Sequence, residues 1–302
     1  MSDAYAEQIR SLTVGGVPYT YRVLRQPEPR TEPVVAMGGV LEGMHNWTYL
    51  ESTVLPKASL VTIDMPTLDP SSFRGESNSV GILCDGLEGV IDDLGAERVN
   101  LYGYSLGAAV TFQYAQRHPG KVARLLIGGV PEQMPRDALE QLRLSVERAR
   151  AGDADGFAGL LSAALLCLDE SHHVHRRDLS HEFMLRFLRN AVRTPGNIDR
   201  LEAGLTSHHR LTGGLSGVPT TVFTGEHDHL HTVDRQREFA ATIDGSRFVT
   251  FPDCDHALPA QRPEAIRSLV ASFLMEDEAG AAAPVAARTE RSCSAPGPRA
   301  HR

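Results

Sequence analysis

Two hydrophobic periods alternate along the chain. Short apolar runs recur at Val34-Val35-Ala36-Met37, Leu60-Val61-Thr62-Ile63, Val99-Asn100-Leu101-Tyr102, Val122-Ala123-Arg124-Leu125-Leu126-Ile127, Thr220-Thr221-Val222-Phe223-Thr224 and Arg247-Phe248-Val249-Thr250-Phe251. Their length and β-branched content predict buried strands. Between them the period lengthens. Val80, Leu83, Leu87, Ile91 and Leu94 fall on one helical face that Gly95 closes, and Val110, Phe112, Tyr114 and Ala115 continue a helix up to His118-Pro119-Gly120. A further helix is expected over residues 233–243, and the cleanest stripe, Ile266, Leu269, Val270, Phe273 and Leu274, follows a proline suited to a first turn, Pro263. Strands alternating with helices at this spacing imply parallel βαβ units, hence an α/β fold with a doubly wound, mostly parallel sheet.

Three stretches depart from the alternation. Leu12-Thr13-Val14 and Tyr19-Thr20-Tyr21-Arg22-Val23 flank Gly15-Gly16 and read as an antiparallel hairpin at one sheet edge. From residue 131 to 217 no strand pattern appears, only helical stripes such as Leu139/Leu142/Val146/Ala149 and Met184/Phe187/Leu188, so an inserted helical cap is expected there. The core is then assigned to residues 1–130 and 218–277. Residues 278–302, rich in Ala, Pro and Ser, lose all periodicity and are expected to be a disordered tail.

Composition narrows the function classes. A formal charge of −8 without a concentrated Lys/Arg stripe argues against nucleic-acid and anionic-membrane partners and for a small or carrier-tethered substrate. The first ten residues lack the apolar core of a secretory signal, and no run approaches the roughly 18 apolar residues of a membrane helix, so a cytoplasmic location is expected. Cys84, Cys167, Cys254 and Cys293 fit no metal-ligand spacing and are read as free thiols. Gly38-Gly39 lacks the spacing of a dinucleotide site, and no cofactor is expected.

The chemistry centres on Gly103-Tyr104-Ser105-Leu106-Gly107, where an apolar run stops and a helix pattern begins. A serine at a sharp strand-to-helix turn is strained and needs small neighbours two positions away on either side. Both are glycine. Such a turn sets Ser105 at the positive end of the helix, with the Leu106 N–H directed toward an oxyanion.

Two later strand ends complete the picture: Gly225-Glu226-His227-Asp228, and Pro252-Asp253-Cys254-Asp255-His256 after Phe251. Over residues 12–274 the chain resembles the α/β-hydrolase fold family on these three motifs, in the order Ser, Asp, His. The resemblance implies a triad with Ser105 as nucleophile, His256 as general base and Asp228 holding the imidazole in the right tautomer. It also implies an oxyanion hole of backbone N–H groups from Leu106 and Gly39, with Val40 as the alternative to Gly39. With His256 as base, the rate is expected to fall below about pH 6.

Other readings were weighed on the same residues. His227, His229 and His231, and the cap histidines His172, His173, His175 and His181, suggest metal, but no convincing carboxylate or cysteine set accompanies them in sequence, and no metal is expected. Asp253 and Asp255 read as loop residues able to raise the His256 pKa, and His45 as a capping or exposed side chain. Two features depart from the family pattern. Met37-Gly38-Gly39 lacks the histidine that often braces the oxyanion loop, and Asp64-Met65-Pro66-Thr67-Leu68-Asp69 lacks two glycines of the usual motif. The expected activity is a serine hydrolase acting on an ester, thioester or lactone. Alternatives are a cyclising thioesterase or acyltransferase of the same fold, or a non-catalytic receptor. Leu160, Leu161, Leu165, Leu166, Phe183 and Phe187 are candidates for an apolar wall against the acyl group, the alternative for most of them being an amphipathic stripe that packs on the core.

Overall fold

The structure is a computed structural model and describes residues 5–67, 79–131, 134–206, 211–275 and 288–291. In chain order the elements are β1 (Ala6–Val14), β2 (Val17–Arg25), β3 (Val34–Met37), α1 (Thr48–Val54), β4 (Leu60–Ile63), α2 (Ser79–Leu94), β5 (Val99–Tyr104), α3 (Leu106–Arg117) and β6 (Val122–Gly128). Four helices follow, α4 (Arg136–Arg150), α5 (Ala154–Leu165), α6 (Arg177–Ala191) and α7 (Asn197–Thr206). The alternation then resumes with β7 (Thr220–Gly225), α8 (Val233–Ala241), β8 (Arg247–Phe251), α9 (Leu258–Gln261), α10 (Pro263–Phe273) and β9 (Arg288–Arg291).

The strands form a single nine-stranded sheet in the order β1-β2-β4-β3-β5-β6-β7-β8-β9. From β4 to β8 every neighbour is parallel, whereas β1, β2 and β9 join antiparallel at the edges. The β1–β2 hairpin closes on Gly15 and Gly16, both at positive φ (57° and 84°), the backbone that a two-residue turn between twisted strands requires. β9 corrects one expectation. Residues 288–291, assigned to a disordered tail, pair antiparallel with β8 from Arg247↔Arg291 to Thr250↔Arg288. Without it β8 would present an unpaired row of backbone groups, which any short segment of extended chain can satisfy whatever its hydrophobicity. The rest of the tail, Cys293 included, lies outside the described residues.

Period-2 alternation sorts the strand side chains into two cores. Val35, Met37, Leu101, Leu125, Ile127 and Val222 pack with α2, α3 and α8 on one face. Val34, Ala36, Tyr102, Leu126, Phe223 and Phe251 pack with α1 and α10 on the other. The helices between β6 and β7 bury a third cluster around Leu142, Val146, Phe157, Leu161 and Leu188, against which Val40 and Leu41 of the loop after β3 pack. No helix among the described residues is long and apolar enough to cross a membrane.

Candidate active site

β5 ends at Tyr104 and α3 begins at Leu106, so Ser105 alone turns the chain, at φ 53° and ψ −121°. A non-glycine residue held there stores about 1–3 kcal/mol of strain, which persists only because the surroundings enforce it. The Ser105 N–H donates to the Gly128 carbonyl (2.9 Å), and the Ser105 carbonyl accepts from the Ala108 N–H (2.9 Å). The flanking glycines are required by close approach. A Cβ at Gly103 would lie 2.2 Å from Thr111 Oγ1, and one at Gly107 would lie 2.0 Å from the Met37 carbonyl oxygen. The tight α3–β3 contact also lets the Gly107 N–H donate to the Gly38 carbonyl (2.9 Å), which pins the loop after β3 beside the serine.

That loop carries the expected oxyanion donors. A side chain at Gly39 would start 3.8 Å from Ser105 Cβ, so the residue lies beside the serine, and its N–H donates to Glu42 Oε2 at 2.7 Å. Among the described residues the N–H groups of Val40 and Leu106 have no acceptor, and both residues line the cavity in front of Ser105. The Gly39 N–H is thus already engaged, whereas those of Val40, the alternative, and of Leu106 are not.

The other two strand ends are stitched together by backbone. Gly225, at the end of β7, approaches the β8 loop so closely that a Cβ would lie 2.5 Å from the Cys254 carbonyl oxygen. The Glu226 N–H donates to the Phe251 carbonyl (2.9 Å) and the His227 N–H to the Cys254 carbonyl (2.7 Å). This register brings His256 Nδ1 to 2.8 Å from Asp228 Oδ2, with both residues buried. Asp228 Oδ1 accepts the His231 N–H (2.8 Å), and the Tyr104 hydroxyl donates to the His256 carbonyl (2.7 Å). The imidazole lies against Gly129, where a Cβ would stand 2.9 Å from its Cε1. Gly128 holds the Ser105 backbone and Gly129 makes room for the ring, so the end of β6 contacts both residues.

Electrostatics suit a base. Burial works against a charged ring at His256, but the Asp228 carboxylate and its hydrogen bond outweigh that and raise the pKa above its ordinary value. Burial likewise disfavours the Asp228 carboxylate, yet attraction to His256 holds its pKa below the usual range. His231, whose ring stands 5.2 Å from that of His256, is held neutral chiefly by burial, its pKa lowered to about 3.

Ser105 and His256 face a cavity of about 310 Å³. Of the expected apolar wall, Leu161, Leu165, Phe183 and Phe187 line it, together with Met134 and Met184, whereas Leu160 and Leu166 do not. His45 is exposed and outside it. Glu42 and Tyr104 are cavity residues that strand and helix patterns alone did not single out. The only hint was a lone acid in an otherwise apolar, glycine-rich loop and a tyrosine inside the serine motif. Asp255, read as a loop residue, is buried. Its Oδ2 accepts the Cys167 N–H (3.0 Å) and its Oδ1 the Ala257 N–H and the Gln261 amide (both 2.8 Å).

One histidine does find carboxylates. His227, Glu226 and Asp253 offer ligand atoms within 4.8 Å of one another, a grouping that sequence spacing concealed. These groups also serve structure, since Glu226 Oε2 accepts the Asp253 N–H (3.1 Å) and Asp253 faces Arg262 (3.6 Å). The grouping is not part of the cavity wall.

Comparison with known proteins agrees with this architecture. Residues 32–263 match the alpha/beta hydrolase fold family. The chain is 24% identical, over 80% of its length and 87% of the relative's, to 2-hydroxy-6-oxononadienedioate/2-hydroxy-6-oxononatrienedioate hydrolase 2 of Pseudomonas putida. Similar solved structures include a thermophilic esterase from Thermogutta terrifontis (TM-score 0.70, 20% identity, covering 90% of this chain and 100% of that one). The enol-lactonase from Burkholderia xenovorans LB400 is similar too (TM-score 0.70, 18% identity, 88% and 100%). The chain belongs to the alpha/beta hydrolase fold family, as an enzyme of the hydrolase class.

Proposed function

We propose that the protein is a serine hydrolase that cleaves an ester, thioester or lactone through an acyl-Ser105 intermediate. The observation that carries this reading is the meeting, at one cavity, of a serine on a strained positive-φ turn with a histidine whose Nδ1 is bonded to a buried aspartate. With Nδ1 committed to Asp228, Nε2 is the ring nitrogen that takes the Ser105 proton as Oγ bonds to the substrate carbonyl carbon. The resulting oxyanion accepts the Val40 and Leu106 N–H groups. His256 then returns the proton to the leaving oxygen or sulfur as that bond breaks. Water, activated by the same ring, repeats the sequence on the acyl-enzyme and frees the acid.

The helices between β6 and β7 act in this reading as a cap that selects the acyl group. Apart from Glu42, Asn46, two tyrosines, Ser105 and two histidines, the cavity wall is apolar, which supports a medium-sized, largely hydrocarbon acyl chain, free or carrier-tethered. A fluorophosphonate probe tests the mechanism. Labelling of the native protein that disappears in Ser105→Ala is expected, with kcat on p-nitrophenyl esters falling about 10⁶-fold. An unlabelled native protein would overturn the acyl-serine mechanism.

A further inference from the structure

Glu42 is a carboxyl at the wall of the reaction cavity that the proposed steps leave without a role. Its surroundings are specific. The Gly39 N–H donates to Glu42 Oε2 (2.7 Å), and the Glu42 N–H donates back to the Gly39 carbonyl (3.0 Å), so the two residues close a reciprocal pair of bonds around Val40 and Leu41. The carboxyl occupies the space a side chain at position 38 would need, because a Cβ on Gly38 would fall 2.1 Å from Oε2. The same loop is tied to the serine turn from the other side by the Gly107 N–H on the Gly38 carbonyl (2.9 Å). Within this closed turn the Val40 and Leu41 N–H groups are left without an acceptor among the described residues, and Val40 is the one adjacent to the fixed Gly39.

We propose that Glu42 is the positioning residue of the oxyanion site. By accepting the Gly39 N–H it withdraws that donor from the cavity and fixes the peptide that presents the Val40 N–H beside Ser105. The proposal rests on the acyl-serine reading given above. It also accounts for a departure noted in the sequence. Met37 stands where many relatives carry a bracing histidine before the glycine, and here the brace comes from the C-terminal side of the loop, five residues further on. Burial favours the uncharged carboxyl and raises its pKa, against the Gly39 N–H and His256, which lower it. Either protonation state of the carboxyl has an oxygen that accepts the Gly39 N–H.

The test compares Glu42→Gln with Glu42→Ala in the full chain, using a neutral p-nitrophenyl ester and a trifluoromethyl ketone whose adduct with serine carries an oxyanion. Glutamine keeps an acceptor oxygen, so kcat is expected within about threefold of native. Alanine removes it, and kcat is expected to fall about 10- to 100-fold with KM within about threefold, part of the about 10²- to 10³-fold cost of losing one oxyanion donor outright. Affinity for the ketone should fall in parallel with kcat, which a merely structural role would not produce. Gly38→Ala, which crowds the carboxyl out of its place, should reproduce the alanine phenotype and serves as the second variant if Glu42→Ala does not fold. Native kcat and ketone affinity in both variants, or equal losses in Glu42→Gln and Glu42→Ala, would overturn the proposal. Fluorophosphonate labelling of the native protein is run alongside. Its absence sinks the acyl-serine reading, whereas labelled protein with unaffected variants sinks the role of Glu42 alone.

Discussion

The rim of the sheet and the inserted helices meet at one cavity but are held by different forces. At the rim, position is set by directional bonds. Ser105 is fixed through the Gly128 carbonyl, Gly39 through Glu42, the β7 and β8 loops through Phe251 and Cys254, and His256 through Asp228 and Tyr104. Glycines at 103, 107, 129 and 225 allow these approaches at distances no side chain tolerates. The inserted helices contribute Leu161, Leu165, Phe183 and Phe187, which contact the cavity through non-directional packing. Many of their polar links, such as Arg143 with Glu140 and Arg189 with Asp155, are exposed ion pairs of small energetic weight. In the proposed reading, reaction geometry is built where small displacements are costly, and substrate selection where side chains can be exchanged. The Asp255 cluster joins the two, with its carboxylate bonded to the Cys167 backbone and to Gln261, whose amide also reaches Ser180 of α6 (3.4 Å).

This contrast can be broken from either side. The largest effect is expected at the rim. Asp228→Asn preserves shape but removes the charge that fixes the His256 tautomer, and kcat on a preferred ester should fall about 10⁴-fold with KM little changed. A loss under tenfold would mean that the aspartate only packs.

The next effect in size is the pH response. The ring acts as a base only when deprotonated, and Asp228 stabilises its protonated form, so the acid limb of kcat/KM should have its midpoint above 6.5, not near 6 as the unperturbed ring suggested. Activity should drop about tenfold per pH unit below that midpoint. A profile flat down to pH 5 would remove His256 from the base role.

The smallest change belongs to the inserted helices. Leu161→Ala enlarges the cavity without touching the rim, so kcat/KM should shift about tenfold toward longer acyl chains across a graded series of esters, with fluorophosphonate labelling retained. Lost labelling in this variant would show that the two regions are not separable in the way described.

Much of the rim was legible in sequence because its markers are local. A serine between glycines at a strand end, Asp228 three residues past Gly225 and His256 five past Phe251 are all tied to strand ends that periodicity locates. The bond from Gly39 to Glu42 was not legible, since it depends on how five residues of loop close on themselves. Choosing between Gly39 and Val40 required knowing which N–H another group had already claimed. Asp255 read only as a loop residue near His256, because its partner, Cys167, is far away in the chain. β9 escaped for a different reason, as edge pairing asks only for backbone and leaves no hydrophobic signature.

The amino-acid order alone therefore determined the alternating architecture, the parallel sheet and the three side chains expected at its rim, because 2.0- and 3.6-residue periods and turn chemistry act over a few neighbouring positions. Tertiary structure decided which backbone donor is engaged by Glu42, which carboxyl is buried against which loop, and which apolar side chains reach the cavity. Those outcomes depend on distances between segments tens of residues apart, and a hydrogen bond either forms within a few tenths of an ångström or leaves its donor for something else.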